Sequence, residues 1–344
     1  MIGIDCRLID TKNNSGISRY TEFLIEYYIS KYADDKIVLI TNDASFNYKN
    51  CRIHFTKLRP YGILDFLFFN REIAKIGISY FHSPFYSSFF FKVPGVKSIV
   101  TVHDLMYKLV PDFFGKNTFI NFTKIKYFDF IVYTSLKNAD LVISISQTTK
   151  SDVKKLYGID SIHIPEDSHL NVIADTNILK RFSLTKNKYF FYCGNSRPHK
   201  NIDFVIDAFN DNPYIGNLVL AGKSHASSDN VLAVGVVTDA ELLALYENSI
   251  AFIFPSKYEG FGLPILEALH AKTKVVASKI SAFLEFDSLN IYFFNYDDTS
   301  EFIVALRNAT NGKFINDAEV LQRYSKENIY KLNDTAFTRF LADI

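Results

Sequence analysis

The chain contains no tryptophan, two methionines and only three cysteines in 344 residues. Cys6, Cys51 and Cys193 lie far apart, form no CxxC pair and make an odd count. That usage excludes a disulfide framework and a structural zinc as expectations, and it points to a reducing compartment. Charge is nearly balanced, at a formal +1, so no broad positive field favours nucleic acid. No apolar run approaches the roughly 18 to 20 residues that cross a bilayer. The opening MIGIDCRLID is too short and too polar for a signal peptide, and the expected address is the cytoplasm. Nucleotide signatures are missing as well. No GxGxxG follows a strand and no Walker A motif occurs, which counts against a nicotinamide-dependent dehydrogenase and a P-loop kinase. No DxD-like pair stands out.

What the chain does have is apolar and aromatic mass: 48% hydrophobic residues, 33 Phe and 21 Tyr. At about 150 residues per domain, the length fits two domains, each with a sizeable core. Short apolar runs alternate with longer amphipathic segments, the pattern of βαβ units around parallel sheets. In the first half the strand candidates are MIGID, KIVLIT, RIHF, SYFH, VKSIVTV and LVISIS, with helices between them. The rhythm breaks over 165–187, which reads as a linker with a short helix. It restarts with KYFFYCG, NLVLAG, VLAVG, IAFIF and KVVAS. The expected fold class is therefore α/β, with two doubly wound halves. The boundaries are 1–166, a linker at 167–186, a second domain at 187–325, and a C-terminal helix at 326–344. That helix is expected to return to the first domain, packed by Ile329, Leu332, Phe337 and Phe340. Ligands of such sheets sit at the carboxyl ends of the strands, here in a cleft between the halves.

Two strand-to-helix loops carry chemistry. The first, after KYFFYCG, reads Gly194-Asn195-Ser196-Arg197-Pro198-His199-Lys200-Asn201, where Arg197 and Lys200 bring positive charge to a helix N-terminus. With the exposed amides there it makes an anion site; a solvated basic turn would look the same. The second is PSKYEGFGLPILEAL, residues 255–269. Gly260 and Gly262 remove side chains where backbone must approach a ligand, and Pro264 suits a first helical turn. The amides near Leu263 offer a second phosphate site. Glu259 and Glu267 bracket that site, and carboxylates beside a phosphate serve better as acceptors for hydroxyls. A nucleotide sugar has hydroxyls on both sides of its diphosphate.

These motifs resemble those of GT-B glycosyltransferases of retaining family 4, in particular bacterial O-antigen and capsule mannosyltransferases. The resemblance rests on YEGFGLPILEAL, GNSRPHKN and VGVVTDAELLALYENSIAFIFPS. In the first half it rests on SGISRYT, HSPFY (82–86), TVHDLMYKLVPDFF (101–114) and ADLVISISQTTKSDVKKLYGI (139–159). It implies a GT-B fold of two Rossmann-like domains and transfer of a hexose, with retention, from a nucleotide diphosphate sugar to a glycan hydroxyl. GDP-mannose is the favoured donor and a UDP-sugar the second choice; the resemblance further implies no cofactor and no metal, since cationic residues and amides take the metal's place. By the resemblance Lys200 and Arg197 hold the diphosphate, together with Gly262, Leu263 and Gly16. His103, Asp104 and Glu259 are the catalytic candidates. His103, Glu259, Gly260 and Phe261 line the sugar, while Glu267, Gly235 and Val236 meet ribose and base. Two departures stand out. AFLEFDSLN occupies the place of the family's Pro-Glu pair and Gly, and His199 fills the basic position before Lys-Asn.

Segments 57–75 and 116–133 mix Lys and Arg with Phe, Tyr and Leu. Such helices fit an anionic membrane, the inner face of the cell envelope, where a lipid-linked acceptor would be met; an apolar face buried in the core explains them equally. Two other functions remain open from sequence. One is a GT-B nucleotide-sugar epimerase. The other is a non-catalytic polysaccharide-binding subunit.

Overall fold

A computed structural model describes residues 1–9, 16–48, 50–167, 170–338 and 340. The chain divides into two compact units, Met1–Glu166 with Lys326–Ile344, and Asp167–Ser325.

The first unit runs β1 (Ile2–Asp5), α1 (Gly16–Lys31), β2 (Ile37–Thr41), β3 (Arg52–Phe55), α2 (Ile63–Ile76), β4 (Tyr80–Ser83), β5 (Lys97–Val102), α3 (Met106–Leu109), α4 (Thr118–Asn138), β6 (Leu141–Ser144), α5 (Gln147–Tyr157) and β7 (Ile162–His163). Its seven strands are parallel in the order β3-β2-β1-β4-β5-β6-β7. Helices cover both faces of such a sheet, so central strands read as unbroken apolar runs; every residue of IVLIT in β2 is buried. The order turns back between β1 and β4, the position where doubly wound sheets open a crevice at their carboxyl ends.

The second unit runs α6 (Asn177–Arg181), β8 (Tyr189–Cys193), α7 (Ile202–Asp211), β9 (Asn217–Ala221), β10 (Val231–Gly235), α8 (Asp239–Asn248), β11 (Ala251–Phe254), α9 (Leu263–His270), β12 (Lys274–Ser278), α10 (Ser281–Leu284), β13 (Ile291–Phe294), α11 (Thr299–Asn311) and α12 (Ala318–Arg323). Its six parallel strands follow the order β10-β9-β8-β11-β12-β13, and the switch point lies between β8 and β11. Local signals set the helices. In α7, Ile202, Val205, Ala208 and Phe209 form the buried stripe of a 3.6-residue period. Thr238 and Glu241 make a reciprocal capping box at the start of α8. The stretch 167–186 belongs to this unit and contains α6.

The last helix, α13 (Lys326–Phe337), is part of the first unit. Ile329 and Phe337 enter the core containing Tyr27 and Tyr28 of α1, and Tyr27 Oη donates to Asp334 at 2.9 Å. Phe340 packs at the edge of this core, while Leu332 is exposed, contrary to its expected packing role. The buried stripe follows Ile329, Asn333 and Phe337 at steps of four, and Leu332 falls beside it.

Helices α2 and α4 are apolar on more than their core face. Phe69, Ile73 and Ile76 of α2 are buried, yet Ile63, Leu64, Leu67 and Phe68 face solvent. In α4 the burial is confined to Ile131, Val132, Ser135 and Leu136, which leaves Phe119 at 76% exposure, with Ile120 and Phe122. Phe66, Phe90 and Phe130 join the two helices in one aromatic cluster, and Phe91 beside it is 66% exposed. Among the described residues, no helix is long and apolar enough to cross a membrane.

Candidate active site

In the second unit the loops after β8 and β11 flank the switch point, and they carry the chemistry. Gly194 leaves β8 at φ 151°, where a Cβ would meet the Tyr192 hydroxyl at 2.7 Å. The chain then makes a single 3-10 turn, Pro198–Lys200, and Asn201 takes the left-handed conformation before α7. This turn sorts the basic residues. His199 points inward and is buried, Lys200 is half-buried, and Arg197 is exposed. Burial, helped by the Lys200 charge, pushes the His199 imidazole down to about 4, so it is neutral at physiological pH. Its carbonyl accepts from Lys257 N at 2.8 Å and ties the two loops together.

The Lys200 ammonium reaches across to the second loop and pairs with Glu259 Oε1 at 2.7 Å. Ser256 Oγ donates to the same oxygen at 2.6 Å, and the ammonium also lies 5.4 Å from the centre of the Phe254 ring. The cationic and anionic candidates are therefore direct partners, where the sequence assigned one to the diphosphate and the other to sugar hydroxyls.

Beyond Glu259 the loop is held from below. Phe261 is buried with its ring against Phe286 and Tyr324, at 5.3 and 5.6 Å. Its side chain is thus core, and only its backbone is left to meet a sugar. Gly260 is buried beside it. At Gly262 a Cβ would sit 2.9 Å from Phe286 Cε2, so the segment AFLEFDSLN supplies the floor on which this turn rests. Pro264 has no N–H and Ile265 N donates to the Gly262 carbonyl at 2.9 Å, so the first turn of α9 offers an anion the Leu263 amide. Glu267, one turn on, is buried and accepts from Tyr246 Oη at 3.0 Å. Gly235 ends the edge strand β10 in the left-handed region at φ 77°, with Val236 exposed after it.

The first unit holds the remaining candidates. Gly16 is exposed and is the first residue of α1, not a loop residue; most of the loop before it, 10–15, lies outside the described residues. His103 follows β5 with its ring buried edge-on to Tyr20 at 4.9 Å. Its Nδ1 is 2.6 Å from Glu166 Oε1 and its Nε2 donates to the Pro84 carbonyl at 2.7 Å. Burial alone would lower its pKa, but the Glu166 carboxylate and the two contacts raise it above the ordinary value. Both ring nitrogens are committed within the protein, so the imidazole itself has none to offer a sugar hydroxyl. Asp104 Oδ1 accepts from Met106 N at 2.8 Å and shapes the turn into α3.

Sequence reasoning did not find Glu166, Ser256 or Tyr246. Nor did it find the buried ion network at the end of β1, where Arg7 makes two bonds to Asp5 (2.8 and 2.6 Å), reaches Asp65, and stacks 3.7 Å over Phe69. Burial pushes the Asp65 carboxyl up to about 6 against the pull of Arg7.

The profile described as Glycosyltransferase Family 4 matches residues 15–165, and the profile Glycosyl transferases group 1 matches residues 175–290. The chain is 30% identical over 224 residues to the O-antigen chain mannosyltransferase RfbU of Salmonella typhimurium, covering 61% of this chain and 60% of that protein. It is 26% identical over 216 residues to O-antigen chain mannosyltransferase B of Escherichia coli, covering 55% of each. The chain thus spans little more than half the length of these relatives. The fold is that of GT-B enzymes. A sucrose-phosphate synthase from Thermosynechococcus elongatus superposes with a TM-score of 0.74 over 100% of this chain and 99% of that one, at 18% identity.

Proposed function

We propose that this chain, whose two halves belong to Glycosyltransferase Family 4 and to the group 1 glycosyl transferases, transfers a hexose from a nucleotide diphosphate sugar to a glycan hydroxyl in polysaccharide synthesis. The observation that carries the reading is the Lys200–Glu259 pair at the β8/β11 switch point, shortly before the Leu263 amide that opens α9. A diphosphate bound at that amide draws the ammonium to itself and frees the carboxylate to accept from sugar hydroxyls. The pair is thus a resting form of a site that takes one anion and one set of hydroxyls.

In this mechanism Lys200 and the Leu263 amide stabilise charge growing on the leaving diphosphate, with Arg197 as an exposed helper. The bond from the anomeric carbon to the phosphate oxygen breaks while the acceptor oxygen bonds to the same face, giving retention. The departing phosphate oxygen takes the acceptor proton. Glu259, released by Lys200 and still held by Ser256 Oγ, serves as a hydroxyl acceptor and not as a nucleophile. The cation is the lysine, with no metal needed. Glu267 accepts from the ribose, and Gly235 and Val236 border the base.

Mannose from GDP-mannose is the preferred donor, supported by the O-antigen mannosyltransferase relatives. We infer an acceptor that is met at a membrane surface. The exposed Phe119, Phe122, Ile63, Leu64 and Phe91 stand among Lys116, Lys124, Lys126, Arg71 and Lys92, a mixture suited to the interface of an anionic bilayer. A screen of GDP-mannose, UDP-glucose, UDP-GlcNAc and dTDP-rhamnose by donor hydrolysis and thermal shift tests the proposal; it fails if none is bound or turned over.

A further inference from the structure

The Glu267 carboxylate is aimed by a residue to which no motif assigns a role. Tyr246 of α8 is wholly buried, with its ring edge-on to Phe191 and at a steep angle to Phe252, each at 5.1 Å. Its hydroxyl donates to Glu267 Oε2 at 3.0 Å, and the same oxygen lies 3.1 Å from Cys193 Sγ at the end of β8. A phenol has one proton. With that proton on the carboxylate, the thiol is the donor in the second contact. Burial, with Cys193 and the Glu267 carboxylate adding to it, holds the phenol well above its usual pKa, so the proton stays on the phenol oxygen. The result is a directed chain from Cys193 through Tyr246 to Glu267, running from the exit of β8 to the first turns of α9.

A purely structural ring at this place needs no hydroxyl. Phe191 and Phe252 surround an aromatic slot that phenylalanine would fill, and burying a hydroxyl is favourable only against a partner. The partner here is the carboxylate assigned to ribose. Glutamate loses freedom about several bonds when it is fixed, so a preset carboxylate binds hydroxyls without that ordering cost.

We propose that Tyr246 is a positioning residue for ribose recognition: its phenol holds the Glu267 carboxylate toward the donor's ribose hydroxyls, and the Cys193 thiol holds the phenol. The inference rests on the assignment of Glu267 to ribose and adds the two residues that orient it.

Isothermal titration with GDP and UDP, and with their 2′,3′-dideoxy analogues, tests it on the wild type, Tyr246→Phe, Cys193→Ala and Glu267→Gln. A hydrogen bond to a charged group is strong enough that Tyr246→Phe should weaken the ribonucleotide roughly tenfold. The dideoxy analogue should bind this variant as it binds the wild type. Cys193→Ala should show the same selectivity with a smaller loss, and it serves as the readout if the phenylalanine variant does not fold. Equal losses for both ligands, or none for either, in Tyr246→Phe or its substitute overturn the positioning role while leaving Glu267 in place if Glu267→Gln still discriminates against ribose. If Glu267→Gln leaves the ratio of the two affinities unchanged, the ribose assignment falls and this inference with it. A wild type that binds no nucleoside diphosphate overturns both.

Discussion

Lys200 Nζ and Glu259 Oε1, 59 residues apart in sequence, stand 2.7 Å from each other across the β8/β11 switch point. Their side chains are 20% and 12% exposed. Removing either partner leaves the other charge in a poorly hydrated place. Lys200→Met or Glu259→Gln should each destabilise the second unit by about 1–3 kcal/mol in denaturant unfolding. The double variant should regain part of that loss. Strictly additive losses would show that the pair is not coupled.

Stability of the first unit should carry the mark of His103. Its raised pKa means that the folded state holds the proton more tightly than the unfolded chain. The resulting stabilisation is complete below the ordinary histidine value of about 6.5 and is lost as pH rises through the raised value. The melting-temperature gap between wild type and Glu166→Gln should therefore be widest in mild acid and narrow toward alkaline pH. His82, pushed down to about 3 by burial, works in the opposite sense: its contribution is lost as pH falls below about 6.5. It is present in both proteins, so it cancels in the comparison.

Much of the strand framework was legible because buried parallel strands are continuous apolar runs. RIHF, VLAVG and KVVAS match β3, β10 and β12 residue for residue. Two strands escaped. β7 has only two residues, and β13, IYFF, is an edge strand with Tyr292 and Phe293 half-buried. The loops of the site were legible as glycine, proline and charge beside a strand end. Their internal pairing was not, since Lys200–Glu259, Tyr246–Glu267 and His103–Glu166 each join residues brought together only by the fold. Phe261 shows the converse limit. Its place in the motif is plain in sequence, but Phe286 and Tyr324 decide that its ring faces the core.

Liposome flotation tests the membrane proposal. The chain should float with vesicles containing anionic lipid and stay at the bottom with neutral ones, and about 0.5 M salt should weaken the binding through screening. Phe119→Ser with Phe122→Ser should reduce flotation without lowering the melting temperature, because both side chains are solvent-exposed. Absence of binding to any vesicle would remove the peripheral contact.

Turnover should persist in EDTA, since Lys200 and the Leu263 amide carry the charge of the leaving group in the proposed mechanism. A strict requirement for added Mg²⁺ or Mn²⁺, restored by no other means, would reassign that role.

The central claim is that Glu259 holds the sugar of a nucleotide donor. It is tested most directly by the rate of nucleoside diphosphate release with acceptor present, in wild type and Glu259→Ala, each with its melting curve. The account predicts turnover of one donor by the wild type. It also predicts a fall of about 100-fold or more in the variant, the scale seen when one stabilising contact to a transition state is lost, while the variant remains folded. Near-normal turnover by a folded Glu259→Ala would contradict it.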